Sequence, residues 1–255
     1  MDTPNISALV DAFEDVLTST LSLVRTIPEH DADLPTDCPG WTVRDQLSHM
    51  VGLEQILSGA PTPAVELPPL AHVVSEFDIF MEQAVHVRRG LPLSAIADEL
   101  DGLLPRRLAQ LREQAEQGDP LVSGPFGERP LSASMPIRVL DLWAHEQDIR
   151  RAIGLPPRIT GPAADASIAR TLAAWATVIP AKTPGTDGTL VIRVTGPEPS
   201  GTTITLGAGG PVATLTGDVG QLTWLGFGRG APDAAMLDGD PAVIAAVAPH
   251  LGFTP

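Results

Sequence analysis

The apolar residues of this chain change their period once, and that change dictates a two-part fold. From Ile6 to about residue 177 they recur every three to four positions, the spacing of amphipathic helices. Beyond Pro180–Gly188, a stretch rich in Pro, Gly and Thr, they fall into short β-branched runs at Leu190–Thr195, Thr202–Leu206 and Val212–Thr216. Gly and Pro separate these runs, which is the signature of an antiparallel sheet. Two further helical patterns, Asp218–Gly226 and Pro241–Leu251, close the chain. The expected fold class is α + (α+β), with a helical bundle over residues 1–180 and a small α+β domain over 188–255.

Within the first part the punctuation is legible. A first helix is expected over 6–27, capped by Asn5 and closed by Pro28. A second starts at Thr42, because Thr42-x-x-Asp45 pairs a cap hydroxyl with an acid three residues on. A third spans about 71–89, and a fourth 93–117 with a kink or break expected at Pro105. Residues 118–134 read as loop, a fifth helix as 135–153 and a sixth as 163–177.

The fifth helix carries the chemistry. Asp141, His145 and Asp148 follow one another at spacings of four and three, so they share a face. A solvated face carries more Lys and Glu, and a core face carries Leu or Ile. An acid and an imidazole one turn apart among Ile137, Ala144 and Ala152 offer two ligands to a metal in a bundle core. A buried His paired to a carboxylate for structural reasons is the alternative. His49, between Leu47 and Met50 on the apolar face of the second helix, is the candidate third ligand. Two imidazoles and one carboxylate with an open fourth position form a catalytic zinc site.

The totals exclude several classes. With 16 Lys and Arg against 31 Asp and Glu, the net charge of −15 opposes binding to a phosphate backbone, so no nucleic-acid partner is expected. No run approaches the roughly 18 apolar residues of a membrane span, and Met1–Pro4 lacks the basic region of a signal peptide. Together with the single cysteine, Cys38, this points to a soluble, cytoplasmic chain in a reducing compartment. Both a monomer and a homodimer are compatible with the sequence.

Three segments, Thr36-Asp-Cys-Pro-Gly-Trp-Thr-Val-Arg-Asp-Gln-Leu-Ser-His49, Arg138–Gly154 and Gly239-Asp-Pro-Ala to Phe253-Thr-Pro255, resemble the mycothiol-dependent maleylpyruvate isomerase family. The resemblance implies a DinB-like metal-binding four-helix bundle and a C-terminal domain similar to the sterol-carrier fold. His49 matches the first metal ligand and His145 the last, while Asp141 stands where the family usually has Glu, one methylene longer. The implied cofactors are a divalent metal, zinc foremost, and mycothiol, a small thiol. The implied chemistry is activation of that thiol for addition to a small electrophile, in an isomerase or a transferase. Arg229, in Trp224-Leu-Gly-Phe-Gly-Arg229, matches an arginine that meets an anionic substrate, although a cation at a helix C-terminus satisfies the dipole equally well.

The remaining candidates are weaker. Cys38 before Pro39-Gly40 reads as a small packing residue, and Trp41, Trp143 and Trp224 as packing anchors. Asp148 either orients a ligand imidazole or pairs with Arg151, and Glu146 reads as solvent-facing. His30, His72, His86 and His250 have no spaced partners and receive no role. Two other functions stay open: a hydrolase using metal-activated water, and a non-catalytic small-molecule-binding or regulatory protein on a degenerate bundle, the latter because of Asp141.

Overall fold

The structure is a computed structural model describing residues 5–254 except Phe126 and Glu198. Met1–Pro4, read above for a leader, and Pro255 of the closing motif lie outside the described residues. Contacts divide the chain into two compact units, Met1–Pro157 and Arg158–Pro255.

The first unit is helical. Helix α1 (Ile6–Val24) begins at Asn5, whose side chain accepts from the Ala8 N–H, and it buries Leu9, Phe13, Val16 and Leu17. Helix α2 (Val43–Leu57) starts with the expected box: the Asp45 N–H donates to Thr42 Oγ1 at 3.3 Å, and the Thr42 N–H to Asp45 Oδ2 at 3.0 Å. Helices α3 (Glu76–His86), α4 (Leu93–Glu116) and α5 (Leu131–Ala152) follow. Helix α1 packs on α4 and α5, and α2 packs on the same two, closing a ring of four; α3 lies against α2. At Gly52 a Cβ would sit 2.7 Å from the Ala84 Cβ, so α2 and α3 approach more closely there than a larger residue allows.

Three local expectations are corrected. Pro105 does not interrupt α4, whose apolar residues Leu100, Leu103, Leu108 and Leu111 stay buried on either side of it. The segment read as loop holds a hairpin of β1 (Leu121–Gly124) and β2 (Gly127–Pro130), paired antiparallel from Leu121↔Pro130 to Gly124↔Gly127. Its four-residue strands are too short and mixed to show alternation. Helix α5 starts at Leu131, four residues earlier than expected, with the Ser132 N–H capped by Asp119 Oδ1 at 2.8 Å.

The second unit opens with α6 (Pro162–Lys182), followed by β3 (Thr189–Thr195), β4 (Ser200–Thr205), β5 (Val212–Asp218), α7 (Val219–Gly226), β6 (Leu237–Gly239) and α8 (Pro241–Val247). The change of apolar period after residue 180 marks where strands begin, not where the compact unit begins. Helix α6 packs on α7 and β4, so it belongs with the second unit, and the boundary falls at 157. The sheet order is β4-β3-β5-β6. It is mixed rather than wholly antiparallel: β3 pairs antiparallel with β4 but parallel with β5, because β5 enters on the far side of β3. Leu190, Ile192 and Val194 alternate into the core, and Trp175 Nε1 donates to the Leu251 carbonyl at 2.6 Å. Among the described residues no helix is long and apolar enough to cross a membrane.

Candidate metal centre

From Val43 to Glu54 every residue of α2 is buried. A helix buried on all sides must give each polar side chain a partner or leave it costly. Arg44 pairs with Asp33 at 3.0 Å and Glu29 at 2.8 Å, Asp45 with Arg89 at 3.0 Å, and Ser48 Oγ donates to the Arg44 carbonyl at 2.7 Å. His49 differs: its Nδ1 has no hydrogen-bond partner among the described residues, and its Nε2 lies 3.3 Å from Asp141 Oδ2.

The packing of α2 on α5 brings all three predicted ligands together. His145 Nε2 lies 3.6 Å from Asp141 Oδ1, and one donor atom from each of His49, Asp141 and His145 falls within 4.8 Å of the others. Zinc bonds of about 2.0–2.1 Å at tetrahedral angles separate donor atoms by about 3.3–3.4 Å, close to the two distances seen. Asp141 keeps 27% of its side chain exposed, while both histidines are buried.

Hydrogen-bond grammar fixes what these atoms offer. The Thr36 hydroxyl donates to the Trp41 carbonyl at 2.8 Å, so toward Gln46 it can only accept, and Gln46 Nε2 donates to it at 2.6 Å. Gln46 Oε1 therefore faces His145 Nδ1, at 2.5 Å, and that nitrogen is the donor. In a neutral ring His145 Nε2 is then a bare lone pair, aimed at a carboxylate. Two imidazoles and a carboxylate converging in this way can hold a cation among them. Asp148, the other candidate orienter of His145, is buried with its Oδ2 at 3.8 Å from Nδ1, beyond hydrogen-bond reach. Gln46 takes that position instead.

Behind Asp141 stands a second charged cluster. Arg138 Nη1 donates to Asp141 Oδ2 at 2.8 Å, while its Nε and Nη2 grip Glu54 Oε1 at 2.9 and 2.6 Å. Arg107 Nε holds the other Glu54 oxygen at 2.8 Å. Burial raises the Asp141 carboxyl, but Arg138 and the two imidazoles outweigh it and hold the group well below the usual carboxylate range. Glu54, with burial opposed by Arg138 and Arg107, is also lowered. Asp141 is thus ionised and not a proton shuttle near neutral pH.

The remaining candidates have definite places. The Trp41 ring lies 4.9 Å from that of His49 and 5.7 Å from that of His145, so it roofs the cluster as well as packing. Its Nε1 donates to Glu82 at 2.9 Å, and Glu82 also meets His72 Nε2 at 3.1 Å. Gly40 turns the preceding loop at φ +79°, and a Cβ there would strike the His72 ring at 2.1 Å, so the Pro39-Gly40-Trp41 turn fits only with glycine. Glu146, read as solvent-facing, is buried instead: Ser19 Oγ donates to it at 2.8 Å and Arg150 Nε at 2.7 Å. Cys38 is half-buried. Arg229 belongs to the second unit, with its guanidinium 5.7 Å from the centroid of the Phe227 ring.

The mycothiol maleylpyruvate isomerase N-terminal domain is the family model that matches, over residues 13–150, which holds all three ligand residues. Two solved structures are similar in fold, both of a mycothiol-dependent maleylpyruvate isomerase. One, a histidine-to-alanine mutant, is 19% identical with a TM-score of 0.63, and the match covers 94% of this chain and 96% of that one. The other is 17% identical, with the same TM-score and coverage. No curated protein matches.

Proposed function

The chain belongs to the mycothiol maleylpyruvate isomerase N-terminal domain family, and from that premise we propose that it is a metal-dependent, mycothiol-using isomerase or transferase. The observation that carries the proposal is the convergence of His49, Asp141 and His145, with the His145 lone pair turned inward by Gln46.

In this reading the three residues hold one divalent ion, zinc by the chemistry of the donor set, with a fourth position left for the thiol. A bound dication lowers the pKa of a thiol that reaches it, so that a sulfur nucleophile is present near neutral pH. Gln46 keeps the His145 Nδ1 proton away from the ion. Arg138 fixes the Asp141 carboxylate through the bidentate grip of its other nitrogens on Glu54. Trp41 excludes water from the histidine rings on its side.

The decisive assay follows conversion of a small electrophile by the zinc-loaded chain with mycothiol. Turnover should require both mycothiol and zinc and fall at least a hundredfold, roughly, in His145→Ala, as loss of a direct metal ligand demands. Turnover indifferent to mycothiol would instead make the protein a hydrolase. The 2.8 Å pair between Arg138 and Asp141 favours one other reading, since Asp141 already has a cationic partner: a binding protein on a degenerate bundle. A chain that binds small molecules but never zinc would establish that one.

A further inference from the structure

A cleft of about 280 Å³ opens beside Asp141 and lies wholly within the first unit. Its volume is near the lower end of the roughly 300–1,000 Å³ of small-molecule sites. Leu53 and Leu57 of α2, Phe77 and Met81 of α3, Leu111 of α4 and Met135 of α5 line it. The hairpin β1–β2 forms one lip, where Leu121 is 66% exposed although it faces the cleft. An apolar side chain that lines a cleft yet stays wet is one that a ligand would cover.

The charges in the lining are already engaged. Arg107 and Arg138 both hold Glu54, Arg138 also holds Asp141, and Arg107 Nη1 donates to Gln110 at 2.8 Å. These four ionised groups sum to zero charge. Arg129, the remaining charged residue of the described lining, sits on the exposed strand β2 and adds one positive charge at the lip. A small dianion would have to compete for guanidiniums fixed by a buried carboxylate, and most of its other neighbours would be aliphatic, thioether and phenyl groups, with Gln110, Gln114, Ser123 and Ser134 the neutral polar ones. Burying its charge against those groups costs more than the cleft returns.

We propose that this cleft holds the apolar body, alkyl or aryl, of the ligand whose reactive end lies at Asp141, so that the chain's electrophile is a hydrophobic molecule and not a small diacid. The inference rests on the reading that a thiol reacts at this centre. For a 2-alkenal of this kind, the thiol sulfur forms a bond to the β-carbon. The π pair moves to the α-carbon, which takes up the proton lost by the thiol. Atoms and charge balance with mycothiol as the only co-reactant. The alkyl tail lies among Leu53, Met81, Leu111 and Met135.

Two measurements on the zinc-loaded full chain test this. The first is equilibrium binding of the unreactive alcohols butan-1-ol and octan-1-ol by calorimetry. Each buried methylene strengthens binding by about fourfold, so octan-1-ol should bind on the order of a hundredfold more tightly. The second is kcat/KM with mycothiol for 2-alkenals from four to nine carbons, which should climb with chain length. Ser134→Phe fills the cleft and Leu121→Asp puts a charge on its lip. Each should weaken octan-1-ol at least tenfold with zinc content and melting temperature retained; because Leu121 is exposed, that variant tests the cleft even if Ser134→Phe folds poorly. Equal binding of the two alcohols, with zinc binding and turnover of a short electrophile intact, overturns the inference and leaves the functional reading standing. Chain-length-dependent binding without any mycothiol turnover supports the apolar ligand and overturns the functional reading instead.

Discussion

Two polar clusters lie between α2 and α5, and they solve burial in opposite ways. Around Glu54, two guanidiniums meet one carboxylate and every charge has an opposite partner within 3 Å. Around His49, two rings and a carboxylate converge, and the Nδ1 of His49 has no hydrogen-bond partner among the described residues. The first cluster pairs every charge it holds, with Arg138 reaching across to Asp141 of the second. The second has the donor set to hold a cation. Both draw on α2 and α5, with Arg107 of α4 added to the first, so the contrast lies mainly in side-chain chemistry and not in the scaffold.

The largest expected effect breaks the closed cluster. Glu54→Ala leaves Arg107 buried without its carboxylate and Arg138 with Asp141 alone, and should cost about 3–5 kcal/mol in chemical denaturation. Replacing all three charged groups together by Leu or Met should restore much of that, since a closed ion cluster adds little net stability over apolar packing. Recovery of less than half would mean that the cluster does more than fill space.

Acid titration reaches the same pair of carboxylates. Both Glu54 and Asp141 have folded pKa values below their ordinary 4.5 and 3.8, so their contribution is fully present above those values. It is lost as pH falls through the lowered folded values, because the unfolded chain binds those protons first. Denaturant midpoints should therefore hold down to about pH 5 and then decline, with Glu54→Gln showing the shallower fall.

The open cluster responds to metal. Zinc at a hundredfold excess over its Kd should stabilise the native chain by about 2.7 kcal/mol, and His145→Ala should show no such gain. The smallest effect tests positioning: Gln46→Leu releases the His145 Nδ1 proton and should weaken zinc by about 10–100-fold while leaving metal-free stability nearly unchanged. Retention of full affinity would remove Gln46 from the site.

The sequence made the ligand stripe visible because Asp141 and His145 stand four apart on one helix, and local spacing is what periodicity reports. The same locality explains the capping box at Thr42. What stayed hidden depends on contacts far apart in the chain. Glu54 and Arg138 are 84 residues apart, and Gln46 and His145 are 99 apart, so no spacing links them. Gln46 is moreover neutral and draws no notice among helix formers; a buried amide three residues before a ligand histidine is its one local signal. Glu146 reads as solvent-facing because it points about a quarter turn away from the ligand stripe, but Ser19 and Arg150 give its carboxylate a buried home. The parallel pairing of β3 and β5 is likewise set by strand order, which β-branched runs do not encode.

Zinc stoichiometry by equilibrium dialysis at neutral pH tests the central claim most directly. The native chain should hold one ion, and His49→Ala and His145→Ala should hold less than about a tenth of one, as loss of one of three protein ligands demands. Full occupancy in both variants, or none in the native chain, would contradict the metal centre.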